Sequence, residues 1–223
     1  MTFGTVFTKN YPAPPYDKRE IFRYASVKSE SAEMSAVLEE CLAEIEGRFA
    51  FRVCYAFYPL KRERETLDLG FTKTSSKDVN KVLSQADSIA VFASTVGLEI
   101  DRLIARYGQL SPVKALFFQA IGAERIEALC EAFIADLQMQ TKGAGMRLTP
   151  RFSPGYGDFG LQIQADIFKT LQPQKRIGLT LLDSLLMSPS KSVTAIVGIG
   201  GACEKSKEAA CEKCSKVNCE YRK

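Results

Sequence analysis

One helical repeat runs from Pro112 to about Gln140, and it constrains the fold more than any other stretch. Leu116, Phe117, Ala120, Ile121, Leu129, Phe133 and Leu137 recur at helical spacing and supply an apolar face that must be buried against another layer. Gly122 falls inside the repeat at a cost of about 1 kcal/mol relative to Ala, and marks a candidate break into two helices. Glu124, Glu127 and Glu131 share a second face. A solvated acidic face is the plain reading of that triplet. Glu131, beside Cys130 and Phe133, is placed to project into a cleft.

The remaining elements are shorter. Residues 1–28 are rich in Pro and Tyr and read as an extended arm or short edge strand, not a helix. Met34, Val37, Leu38, Cys41, Leu42 and Ile45 make an amphipathic helix from about Ser31, its N-cap, to Gly47, its stop. Phe49–Tyr58 and Thr66–Phe71 read as adjacent strands joined by the charged turn Lys61–Arg64. Ser75-Ser76 then caps a short helix through about Gln85.

Ser88–Ala93 is nearly all apolar, as a buried strand would be. It leads through Ser94-Thr95-Val96-Gly97 into a helix carrying Ile100, Leu103, Ile104 and Tyr107. A strand running through small residues into a helix start leaves free N–H groups, which makes Thr95 a candidate ligand contact beside the commoner plain turn. Phe159–Leu171 reads as a further helix, and Ile177–Gly201 as a β-hairpin whose last strand is Ser192–Ile199. The sum is an α+β domain over 1–201: a twisted, largely antiparallel sheet with packed helices. From Ala202 to Lys223 the chain is a short Cys-rich C-terminal tail.

Composition narrows the chemistry. The chain has no histidine, which removes Ser-His-Asp and Cys-His nucleophilic machinery, imidazole acid–base catalysis and His-ligated metals. A formal net charge of +4, dispersed among acids, gives no phosphate-tracking stripe, so nucleic acid is not an expected partner. No apolar run approaches the ~20 residues of a membrane span. The N-terminal residues lack the pattern of a secretory signal, so the cytoplasm is the expected compartment.

Against that background Arg151-Phe152-Ser153-Pro154-Gly155-Tyr156-Gly157-Asp158 stands out. Pro pre-sets φ and Gly accepts positive φ, so Pro154-Gly155 predicts a type II turn that offers backbone groups to a ligand, flanked by Arg151 and Asp158. An ordinary surface turn with a nearby ion pair is the bland alternative.

These residues, with Cys130-Glu131-Ala132-Phe133 before them and Ala195-Ile196-Val197-Gly198-Ile199 after, resemble the activation domain of cobalamin-dependent methionine synthase. Ser94–Gly97 and Met187-x-Pro-x-Lys191-Ser192 are similar to its free-standing, activation-domain-like relatives. The resemblance implies a shallow groove for S-adenosylmethionine (SAM) and a part in the reductive methylation of cob(II)alamin within methionine biosynthesis. Arg151 would meet the SAM carboxylate, and Glu131 its ammonium or ribose. Phe152 and Gly155 would give backbone contacts, and Tyr156 would wall the methyl group or corrin, the nearest thing to a catalytic residue. Asp158 and Thr95 join this set on position and chemistry.

The resemblance further implies that cobalamin comes on a partner, the synthase or another corrinoid protein. An electron donor such as flavodoxin or ferredoxin would complete the system, in which this chain is not a self-sufficient methyltransferase. The family motif continues Pro-Ala-Cys-Pro after Tyr, where this chain has Gly157-Asp158-Phe159-Gly160. Two alternatives stay open: a reductive activator of another corrinoid methyltransferase, or a corrinoid-binding module that does not use SAM.

Cys203, Cys211, Cys214 and Cys219 form a candidate metal set around a Cys-x2-Cys pair. Without histidine the site would be all-thiolate, which suits zinc or an iron–sulfur cluster, and a cluster would relay the electron that reactivation consumes. Free or redox-active thiols are the alternative.

Overall fold

The computed structural model describes residues 2–27, 31–143 and 145–201. In chain order the first elements are β1 (Val6–Asn10), α1 (Lys18–Tyr24), α2 (Ala32–Ile45) and β2 (Arg52–Pro59). Three short strands follow, β3 (Lys61–Arg62), β4 (Leu67–Asp68) and β5 (Lys73–Thr74), then α3 (Lys77–Val82) and β6 (Ser88–Thr95). The helices α4 (Glu99–Leu110) and α5 (Pro112–Lys142) lead into β7 (Arg147–Leu148). Last come α6 (Ile163–Leu171), α7 (Pro173–Ile177), β8 (Thr180–Leu181), β9 (Met187–Ser188) and β10 (Ser192–Gly200).

The main sheet has the order β1-β2-β6-β10-β7, with every neighbouring pair antiparallel. Its inner strands are apolar on both faces, because helices cover both. Val53, Tyr55, Phe57, Ala90, Phe92, Ala195 and Val197 face α1, α2, α4 and α5. Cys54, Ala56, Ile89, Val91, Ala93 and Ile196 face α3, α6 and α7. Phe133 of α5, fully buried, sits 5.1 Å from the Tyr55 ring and 4.8 Å from the Phe92 ring. Truncating such a residue to Ala costs about 3–5 kcal/mol.

The α+β reading and the antiparallel sheet hold, and several local expectations are corrected. The N-terminal arm supplies the expected edge strand β1 but also a helix, α1. The Asp17 carboxylate caps it by accepting from the Arg19 and Glu20 N–H groups, and Ile21 and Phe22 bury its inner face. Gly122 does not break α5, which is continuous. A methyl group there would collide with the stem of Lys191 and with Ile100, so the glycine makes room for packing. Leu67–Asp68 pairs with β3 and β5 in a separate small sheet, not with β2. The expected 177–201 hairpin divides: β8 pairs only with β9, while β10 inserts between β6 and β7. Helix α6 begins at Ile163, later than Phe159, because 153–160 is occupied by turns.

The Glu triplet on α5 is not a uniformly solvated face. Glu124 and Arg125 form a buried ion pair, their side chains 5% and 1% exposed. Arg125 also donates to the carbonyls of Pro14 and Pro15 and lies 4.1 Å from the Tyr16 ring centroid. The arm is thereby fastened across α5. No described helix is long and apolar enough to cross a membrane.

Candidate functional site

β7 pairs with β10 only through Ile199 and Gly200, but the chain beyond it keeps following the same edge. The Thr149 N–H donates to the Gly198 carbonyl at 2.9 Å. Phe152 and Ile196 exchange both backbone hydrogen bonds, each 2.9 Å. Strand alternation then turns Phe152 toward the α6 side, 6.2 Å from the Phe159 ring, and Arg151 toward α5.

The chain next leaves the sheet in two successive turns. The Tyr156 N–H donates to the Ser153 carbonyl at 3.3 Å, and the Phe159 N–H to the Tyr156 carbonyl at 3.0 Å. Gly155, at φ +92°, stands where a type II turn needs positive φ, as Pro154-Gly155 predicts. The Gly155 N–H donates to the Phe159 carbonyl at 2.7 Å, closing the loop on itself. The backbone N–H groups of Phe152, Gly155 and Tyr156 are thus engaged inside the protein.

Arg151 lies just before these turns. Its guanidinium, 29% exposed, pairs with the Glu127 carboxylate, 35% exposed, where α5 passes the sheet edge. Burial opposes its charge, but the neighbouring Cys130, Glu127 and Glu131 hold its pKa above the usual arginine value. Cys130 lies fully buried beneath it, 3.4 Å from the Ser94 hydroxyl. Burial pushes the Cys130 thiol up to about 11, although Arg151 and Ser94 pull the other way. One helical turn beyond Glu127, Glu131 is exposed. Glu131 is near enough to help hold the Arg151 charge, and Tyr156 is 64% exposed on the turn that follows.

Asp158 and Thr95 have other engagements. The Asp158 carboxylate accepts from the Ser76 hydroxyl, the Lys77 N–H at 2.7 Å and the Asp78 N–H at 3.2 Å, across the start of α3. Asp78 returns the contact by accepting from the Asp158 N–H at 3.3 Å. Gly157 adopts φ +56° directly against Asp78, where a methyl group would overlap the carboxylate. The Gly157-Asp158 departure from the family pattern thus anchors the turn to α3. Thr95 is 1% exposed and accepts from the Gly97 N–H and the Ser192 hydroxyl. It lies beside Ser192, separated by about 13 Å of strand from Ile196, where Phe152 docks. Its hydroxyl is thus engaged within the sheet.

Two cavities lie elsewhere. One of about 360 Å³ is lined by Arg62, Ser84, Gln85, Ala86, Asp87 and Gly201, and a second lies along Pro15–Arg19. Neither includes Arg151 or Glu131. The candidate metal cysteines Cys203, Cys211, Cys214 and Cys219 fall outside the described residues. Among the described residues no group of three or more His, Cys, Asp or Glu could hold a metal ion.

The family model for the vitamin B12-dependent methionine synthase activation domain matches residues 56–223. The chain belongs to that family. Its fold is also that of a solved MetH reactivation domain bound to AdoHcy, with a TM-score of 0.62 and 16% identity over 90% of this chain and 80% of that one. No curated protein sequence matches it. Among the residues around Arg151, Glu127 is the one whose part was not foreseen. It already stood in the acidic triplet of α5, but only the crossing of α5 over the sheet edge shows that it faces Arg151.

Proposed function

We propose that this activation-domain chain binds SAM in the groove between Arg151–Tyr156 and α5, and positions its methyl group for cob(II)alamin held by another module or chain. Family membership supplies the class of reaction. The observation that carries the ligand is a half-buried guanidinium, Arg151, whose charge is held by Cys130, Glu127 and Glu131, with the Glu131 carboxylate exposed one turn along α5. A SAM amino-acid end carries a carboxylate and an ammonium, and Arg151 and Glu131 fit that pair by charge.

The adenosyl-sulfonium group supplies an already activated methyl, and with one electron from an external reductant such as flavodoxin or ferredoxin its transfer to cobalt leaves S-adenosylhomocysteine. The chain's own task is therefore to hold and orient. Arg151 fixes the carboxylate end and Glu131 the ammonium. Tyr156, exposed on the rigid double turn, covers the side from which the corrin approaches. Asp158 holds that turn on α3 rather than touching ligand. Cys203, Cys211, Cys214 and Cys219 would supply an all-thiolate set for zinc or an iron–sulfur cluster, and a cluster there would relay the electron.

The test is a reactivation assay. Synthase in the cob(II) state, lacking its own activation module, is mixed with reductant and methyl-labelled SAM, with and without this chain. Label on cobalamin only when the chain is present supports the reading. Reduction of cobalt without label transfer would favour a reductive activator instead.

A further inference from the structure

The Arg151–Glu127 pair joins segments far apart in sequence and sits at the one place in the groove where a ligand carboxylate is expected. Both side chains are about one-third exposed, so the contact is neither sealed in the core nor free at the surface. Cys130 closes the underside of the guanidinium, and Glu127 takes one of its terminal nitrogens. Glu131, on the same stripe of α5, lies one turn further along. A planar guanidinium has five N–H donors and can meet a second carboxylate. Two carboxylates on one guanidinium nevertheless repel each other, and in a half-buried site that repulsion is poorly screened.

We infer that Glu127 is an internal carboxylate that holds Arg151 in the groove and competes with the ligand carboxylate for it, so that it sets the affinity and selectivity for amino-acid-bearing adenosyl ligands. This rests on the reading of the groove given above. Glu127 is a positioning residue: in the free protein it keeps the guanidinium pointed along α5, and on binding it is shared or displaced. Neutralising it should strengthen binding of a ligand with a carboxylate and leave a ligand without one unaffected.

The experiment compares wild type, Glu127→Gln and Glu127→Asp by calorimetric titration with S-adenosylhomocysteine and with 5′-methylthioadenosine, which has neither carboxylate nor ammonium. Urea unfolding first establishes that each variant is folded. Glu127→Gln is expected to bind S-adenosylhomocysteine about tenfold more tightly, equivalent to about 1.4 kcal/mol, with methylthioadenosine unchanged. Glu127→Asp keeps the charge and should stay near wild type for both. Unchanged or weaker S-adenosylhomocysteine binding by Glu127→Gln, beside a wild type that binds, overturns the inference and leaves the groove standing. A parallel shift for both ligands also overturns it, because Glu127 then acts on groove shape. A wild type that binds neither ligand removes the groove itself, and this inference with it.

Discussion

Replacing Asp158 by Ala tests whether the turn that carries Tyr156 is held from α3. The carboxylate accepts from two helix-start N–H groups and from the hydroxyl of Ser76, whose oxygen in turn accepts from the Val79 N–H at 3.0 Å. Losing a helix N-cap acceptor costs about 0.5–2 kcal/mol, and losing a negative charge at the positive end of the helix about 0.3–1 kcal/mol. Asp158 is exposed, so screening holds the electrostatic part near its lower end. The expected loss is about 1–2 kcal/mol, or roughly 3–6 °C in Tm for a domain of this size.

The pH dependence has a definite sign. The Ser76 hydroxyl, with the Lys77 and Asp78 N–H groups, holds the Asp158 pKa below the ordinary aspartate value. Its stabilisation is therefore complete above the unfolded pKa of about 3.9 and is lost as the pH falls through the depressed folded value. Urea unfolding followed by far-UV circular dichroism, at pH 7 and then stepwise to pH 3, reads both effects. Wild type should lose more stability between pH 4 and 3 than the variant, so the two curves converge in acid. A variant within about 0.3 kcal/mol of wild type at pH 7, with the same acid limb, would refute the anchor.

Gly157→Ala should destabilise by about 1 kcal/mol or more through its positive φ and the overlap with Asp78, and its effect should combine less than additively with Asp158→Ala in a double-mutant cycle. Arg125→Met should cost about 3–5 kcal/mol in urea unfolding by leaving the Glu124 charge buried alone, and adding Glu124→Gln should recover most of that loss. Burial pushes Cys41 up to about 11, Cys54 to about 12 and Cys130 to about 11, so none of these three should be alkylated by iodoacetamide at pH 8 in the native protein, whereas all should react in urea. Peptide mass mapping of the modified sites checks this.

What could be read from the sequence was local. Ser31 and Ser76 cap the helices they precede, and the apolar runs at Ser88–Ala93 and Ser192–Ile199 are the two inner strands. The type II turn at Pro154-Gly155 follows from the two residues themselves. Relations between distant segments were out of reach. The insertion of β10 between β6 and β7 depends on pairing between segments far apart in the chain, which no hairpin signal encodes. Gly122 reads as a helix breaker on propensity alone, and only the stem of Lys191 beside it explains a continuous helix. The Arg, Pro-Gly and Tyr of the site motif were visible at once. That Asp158 serves α3, Thr95 lies in a buried hydroxyl pair and Glu127 holds Arg151 became clear only from the packing.

The central claim is that Arg151 binds the carboxylate of SAM, and calorimetric titration of SAM into wild type and Arg151→Ala tests it most directly. Wild type should give one-site binding, and the variant, with its fold intact, should bind about 10- to 100-fold more weakly, as loss of a charged hydrogen-bonding partner requires. No binding by wild type, or equal binding by both proteins, would contradict the account.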